Sequence, residues 1–192
     1  MFRYFVIIVF ASALFYLNSI LKKKDLSFLF LYNNFAGEMK RVFLEIYTKK
    51  QNTSFSDIRV LLFFVNIFLV LVLIITSFIP VVIFNVHMSG LLLLIHVKST
   101  LLFLISLTAY VLISAHSNRF VINEVSHSKI IFWVLVFFSF PTIVSVLLML
   151  FPLFNSDGLD SLLDTHRYSA TLFAIALLFH IYYVIVDKRK NL

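Results

Sequence analysis

The stretch "DTHRYSATLFAIALLFHIYYVI", residues 164–185, is apolar enough to cross a bilayer yet carries His166 and His180. An imidazole in hydrocarbon is costly, and residues of this kind usually face a bundle interior and mark a site. Fourteen residues turn an α-helix through about 1,400°, within about 40° of four full turns, and rise about 21 Å. The two rings therefore point the same way at two depths. Neutral imidazole is an ordinary axial ligand of haem iron, and two haems stacked across a membrane by one helix would use this spacing.

A haem with two histidine ligands needs a second, facing helix. His96 lies about seven residues into the apolar stretch 89–115 and is the best partner for His166. Four residues after each sits a small side chain, Thr100 and Ala170, which leaves room for a flat macrocycle one turn deeper. Lys98 and Arg167 are near enough in sequence to reach haem propionates, although snorkelling to the surface is the commoner fate of such residues. For a second haem, His180 needs its own partner. His116 follows His96 by 20 residues, about 200° beyond whole turns, so it faces away unless the helix end is kinked. Its simpler reading is a polar residue closing the inner end of a span. His87 and His127 fall in expected connections, where solvated histidines are ordinary.

The elements that must position these residues are membrane helices. Of the 192 residues 61% are hydrophobic and 13% charged, with 24 phenylalanines, and the mean hydropathy is +1.02. A spanning helix needs about 20 mainly apolar residues. Five stretches meet or approach that length, at roughly 4–21, 60–84, 89–115, 130–152 and 168–186. The expected fold is an all-α integral membrane protein with five transmembrane helices. With no cysteine in the chain, disulfides, thiolate chemistry and cysteine-held iron–sulfur clusters are excluded.

The net charge of +7 points to a membrane surface rather than nucleic acid once its distribution is read. Lys22, Lys23, Lys24, Lys40, Arg41, Lys49, Lys50 and Arg59 fall between the first two spans, Arg119 and Lys129 in the next-but-one connection, and Lys188, Arg189 and Lys190 in the tail. The other two connections hold no lysine or arginine at 85–88, and Asp157, Asp160 and Asp164 at 154–165. This alternation places the N-terminus outside and the C-terminus in the cytoplasm. The first span resembles a signal peptide in its "ASA", but only Arg3 precedes the apolar run whereas Lys22, Lys23 and Lys24 follow it, the reverse of a signal peptide's charge placement, so a retained anchor is expected.

Within 25–58, Met39, Val42, Phe43, Ile46 and Tyr47 fall at helical spacing opposite Lys40, Arg41 and Glu45, the pattern of an amphipathic helix on the inner membrane surface or against a partner. Pro141 inside the fourth span is expected to kink it; Pro80 and Pro152 fall near span ends. "NSDGLDSLLD" is expected to form a short turn or helix before the fifth span.

Two stretches carry a family resemblance. "HRYSATLFAIALLFHIY", His166 to Tyr182, and "GLLLLIHVKST", Gly90 to Thr100, resemble the haem helices of the prokaryotic membrane-bound b-type cytochromes, which include the gamma subunits of respiratory formate dehydrogenases and the cytochrome subunits of membrane hydrogenases and thiosulfate reductases. The similarity covers roughly 59–186. It implies a four-helix haem-binding bundle there (domain 59–192), preceded by an anchor helix and an inner amphipathic segment (domain 1–58). It implies an outer haem b held by His96 and His166, and an inner haem with His180 as one ligand. The chain departs from the family at the other inner ligand, because Val60 to Leu62 cannot ligate iron. The family's later glycine is replaced within "LIITSFIP". The inner haem is then absent, or completed by His116 or by another subunit.

The function implied is electron transfer between the quinone pool and a partner redox subunit of a respiratory or photosynthetic-type complex in the bacterial inner membrane. Lipids, quinone or quinol and other subunits of that complex are the expected partners. The chain would be a non-catalytic subunit of an oxidoreductase. The alternative is a haemless, degenerate cytochrome-like subunit that anchors a larger complex, which the missing ligand favours. A small transporter is a weaker reading, because the spans hold few charges and few glycines.

Overall fold

The computed structural model describes residues 2–24, 26–48, 55–119, 126–151 and 153–190. Lys49, Lys50, Glu124 and Pro152 lie outside the described residues, as do the side chains of Val42, Phe43, Glu45, Ile46, Tyr47, Lys188, Arg189 and Lys190. In order the helices are α1 (Phe2–Lys23), α2 (Phe28–Thr48), α3 (Phe55–Phe78), α4 (Gly90–Ala115), α5 (His127–Met149) and α6 (Ser156–Lys190). Among the described residues there is no β-strand. The Val, Ile and Phe content would favour strands in water, but hydrocarbon offers no partner for an open backbone and an isolated segment can satisfy its own amides only as a helix.

Among the described residues, five helical segments are long and apolar enough to span a bilayer: Phe2–Lys23, Asp57–Ile83, Gly90–Ala115, His127–Met149 and Ser156–Val186. They match the five expected spans, and the protein is an all-α, multi-pass membrane protein. Its large apolar side chains point outward, as lipid contact allows: Phe15 is 78% exposed, Leu112 74% and Phe137 70%. The helix of the fifth span, α6, is longer than expected. Residues 156–165 form its first turns instead of a separate segment, because Asn155 caps it: the Gly158 amide donates to Asn155 Oδ1 at 2.9 Å and the Leu159 amide to the Asn155 carbonyl at 3.0 Å. Asp157 lies in the first turn, where a negative charge complements the helix dipole.

The chain forms two compact units, Met1–Leu31 with Phe120–Leu192, and Tyr32–Arg119. In the first, α5 and α6 are an antiparallel pair and α1 runs parallel to α6. Phe2 and Phe5 meet Tyr168 edge-on at 5.4 and 4.9 Å between centroids. Eleven residues further along each helix Tyr16 meets Phe179 at 6.0 Å. The α1 end of this seam is closed by a cluster of Leu17, Leu21, Tyr182 and Val186, with Leu26 and Leu31 packed against it. α5 starts at Ser126, whose hydroxyl accepts the Lys129 amide at 3.4 Å, and runs through Pro141 to Met149 without a break.

The second unit is built on the antiparallel α3–α4 hairpin. Arg59 donates to Ser117 Oγ at 2.8 Å near one end, and Phe63 packs on Tyr110 at 5.9 Å. At the other end α3 passes into a π-helical turn, Ile79–Ile83. Pro80 is the cause: it has no amide to give the Thr76 carbonyl four residues back, so the ladder shifts to a wider ring, and the Phe84 amide donates to the Ile79 carbonyl at 3.2 Å. The chain then reverses through Asn85 (φ 54°) and Gly90 (φ 57°). Asparagine and glycine are the residues that reach this left-handed region with least strain.

Candidate functional site

His96 sits on α4, half-buried, with Thr76 of α3 as its neighbour: Thr76 Oγ1 lies 3.0 Å from His96 Nδ1. Thr76 is 4% exposed, and its hydroxyl is also 2.8 Å from the Val72 carbonyl and 3.2 Å from that of Leu73. One turn past His96, Thr100 does not open toward a ligand; its hydroxyl donates to the His96 carbonyl at 2.8 Å. Lys98 is exposed.

His166 sits half-buried on α6 against α5. Its Nδ1 lies 3.2 Å from the Thr142 carbonyl and 3.5 Å from Ser145 Oγ. A carbonyl only accepts, so Nδ1 carries the proton of the neutral ring and the lone pair is on Nε2. Around it runs a seam of small hydroxyls: Thr142 Oγ1 donates to Ser169 Oγ at 2.9 Å, and Ser145 and Ser169 are 2% and 6% exposed. Because these side chains are small, the two backbones approach closely enough for a ring on one helix to reach a carbonyl on the other. Replacing Ser145 by leucine would wedge the pair apart. Overpacking of this kind costs about 1–3 kcal/mol, whereas Ser145→Ala should stay near neutral; unfolding titrations of the two variants in mixed micelles check the contrast.

His180 is 2% exposed. Its ring hydrogen-bonds the backbone carbonyl of Ser128 and lies 6.0 Å, centroid to centroid, from Phe132. Both α6 histidines thus meet α5, so they share one face of their helix. Their acceptors, Ser128 and Thr142, are fourteen residues apart in sequence, as His180 and His166 are. The antiparallel pair therefore brings both rings against the α5 backbone at matching positions. Each such bond contributes about 0.6 kcal/mol, up to about 1.7, in a membrane.

The other expected residues have ordinary surroundings. Arg167 pairs with Asp164 at 3.5 Å and its guanidinium lies 5.8 Å from the Phe2 ring centre; Ala170 is half-buried. His116 is exposed just past the end of α4, and His87 is exposed in the turn before it. His127 opens α5 and stacks on Tyr183 at 5.3 Å with 15° between planes. His96 belongs to the second compact unit, and His166 and His180 to the first.

Sequence reasoning did not find Thr76, Ser128, Thr142 or Ser145. A hydroxyl inside an apolar run was the available signal, but most such hydroxyls here only bond their own helix, as Ser77 does to the Leu73 carbonyl at 2.6 Å. Asn66 was also missed. It is 4% exposed within "FFVNIFL", and its Nδ2 donates to the Leu62 carbonyl at 2.8 Å.

Among the described residues, no three histidine or carboxylate side chains converge in the way a protein-only metal centre requires. A haem asks less of the chain, since the porphyrin supplies the equatorial ligands and the protein only axial ones. The residues at His96 and His166 fit that demand, because each ring is half-buried and has its Nδ1 engaged by a neighbouring helix. The surroundings of His180 fit it less well, because its ring is 2% exposed and lies against Phe132, whereas His96 and His166 are half-buried. No family model, curated protein or solved structure matches the chain.

Proposed function

We propose that this chain is a haem b-carrying electron-transfer subunit of a membrane redox complex, with His96 and His166 as the axial ligands. The observation that carries the reading is the hydrogen bonding of each of those two rings, taken within its own unit. Metal-binding histidines almost always give their second ring N–H to a carbonyl, carboxylate or other acceptor, which fixes the tautomer and raises the basicity of the ligating nitrogen. His166 does this with the Thr142 carbonyl, and His96 has Thr76 Oγ1 in the same place.

Bound haem would supply a one-electron iron couple. The chain's own part is to hold the imidazoles in the neutral, ligating form and to keep water away from them with apolar helices, which tunes the potential. On this reading one haem is carried and His180 is a packing residue, in line with the absence of a ligating side chain at Val60 to Leu62. Electrons pass between quinone or quinol and a partner subunit. That partner carries any iron–sulfur chemistry, since this chain has no cysteine. The distribution of lysine and arginine favours an N-terminus outside and a cytoplasmic C-terminus, and the resemblance to the b-type cytochromes favours a bacterial inner-membrane placement.

A second reading, a haemless subunit that anchors a larger complex, is favoured by the bonds of both α6 histidines to α5, which hold the helix pair without any cofactor. Dithionite-reduced minus oxidised spectra of the purified chain separate the two. A b-type α band with one haem per polypeptide is the expected result, and a flat difference spectrum from well-folded protein rejects the cytochrome reading.

A further inference from the structure

We propose that Thr76 is the positioning residue that sets the tautomer of His96 and, through it, the potential of a haem that His96 binds; the second half rests on the electron-transfer reading. Two arrangements satisfy the distances around Thr76 Oγ1. In one, the hydroxyl proton goes to the Val72 carbonyl at 2.8 Å and the ring N–H donates to Oγ1 across 3.0 Å. In the other, the hydroxyl donates to Nδ1, the ring proton sits on Nε2, and the Val72 carbonyl gains nothing from Thr76. The first makes two hydrogen bonds where the second makes one. In a low-dielectric interior the additional bond decides.

The consequence falls on Nε2, which keeps its lone pair and becomes the more basic nitrogen because the opposite N–H is engaged. Threonine suits this task better than a freely turning hydroxyl. Its χ1 in a helix is restricted to rotamers that let Oγ1 bond a carbonyl three or four residues back, and both such carbonyls are within reach here. A π-helical turn begins three residues after Thr76. π turns recur at functional positions.

The test uses the full chain with ¹⁵N-labelled histidine, and His96→Gln assigns the resonances. In the haem-free protein the His96 ring should show Nδ1–H as its main form. Thr76→Val, which keeps the shape and removes the hydroxyl, should shift the tautomer ratio toward Nε2–H by about tenfold, the size one hydrogen bond supports. Thr76→Ser should restore it. Thr76→Ala serves if the valine variant does not fold. In haem-loaded protein the valine variant should keep its haem and show a raised midpoint potential, because a less basic ligand stabilises ferric iron less, with serine again restoring the original value. An unchanged tautomer ratio in both the valine and alanine variants overturns the proposal, as does a shift that serine fails to reverse. If the wild type binds no haem, the electron-transfer reading falls while the tautomer measurement still decides the role of Thr76.

Discussion

Purified His166→Ala protein should lack the b-type difference band altogether, and His96→Ala should behave the same way. On the cytochrome reading each substitution would remove one of the two histidines that hold the haem, and the remaining imidazole would not retain it alone. His180→Ala is the internal control. Its ring is 2% exposed, lies against Phe132 and is bonded to Ser128, so its loss should cost the bond, about 0.6 kcal/mol and at most about 1.7, together with the cavity left behind, while haem content stays at the wild-type value. The contrast between the two positions on one face of one helix carries the force of the experiment. Loss of haem in His180→Ala with retention in His166→Ala would reverse the assignment, and retention of full haem in all three variants would reject histidine ligation by this chain.

The largest expected loss of stability is at Phe132. This side chain is 0% exposed and lies against the rings of Trp133 at 5.4 Å and His180 at 6.0 Å. Removing a buried phenylalanine from a water-soluble core costs about 3–5 kcal/mol, of which part is transfer and part the cavity left behind. In a membrane the transfer part falls away because lipid is as apolar as the core. The cavity part remains, about 2 kcal/mol, since neither lipid tails nor rigid neighbouring rings close the space. Phe132→Ala should therefore lower the unfolding midpoint of the chain in mixed micelles, and Phe132→Leu should recover most of the loss. Equal midpoints for Phe132→Ala and wild type would show that the α5–α6 seam does not hold the first unit together.

The five spans could be read from sequence because hydrocarbon leaves the backbone one option, and the apolar runs that need it are long. The shared face of His166 and His180 could be read because fourteen residues nearly complete whole turns. The start of α6 was also legible in principle: "FNSDG" places an asparagine cap before an aspartate-bearing first turn, but the acidic residues were read as a connection between helices. The parallel docking of α1 on α6 was not legible. Helices that are apolar on every side carry no periodic contrast to say which face meets a neighbour, and the contacts of Phe2, Phe5 and Tyr16 with α6 depend on shape alone. The partners of the histidines escaped for a related reason. Thr76 and Thr142 lie 20 and 24 residues from the rings they hold, and their position opposite a histidine is a product of hairpin register.

The length of α6 fixes how deep the chain floats. Its 35 residues reach about 52 Å at 1.5 Å per residue, against a hydrocarbon layer of about 30 Å. Several turns must stand clear of the lipid or tilt within it. Asp157, Asp160 and Asp164 recur at three- and four-residue steps on one side of those first turns, so dragging them into hydrocarbon would desolvate a row of carboxylates. They act as a waterline for the helix: His166, two residues beyond the last of them, is held at a constant draught just below the surface.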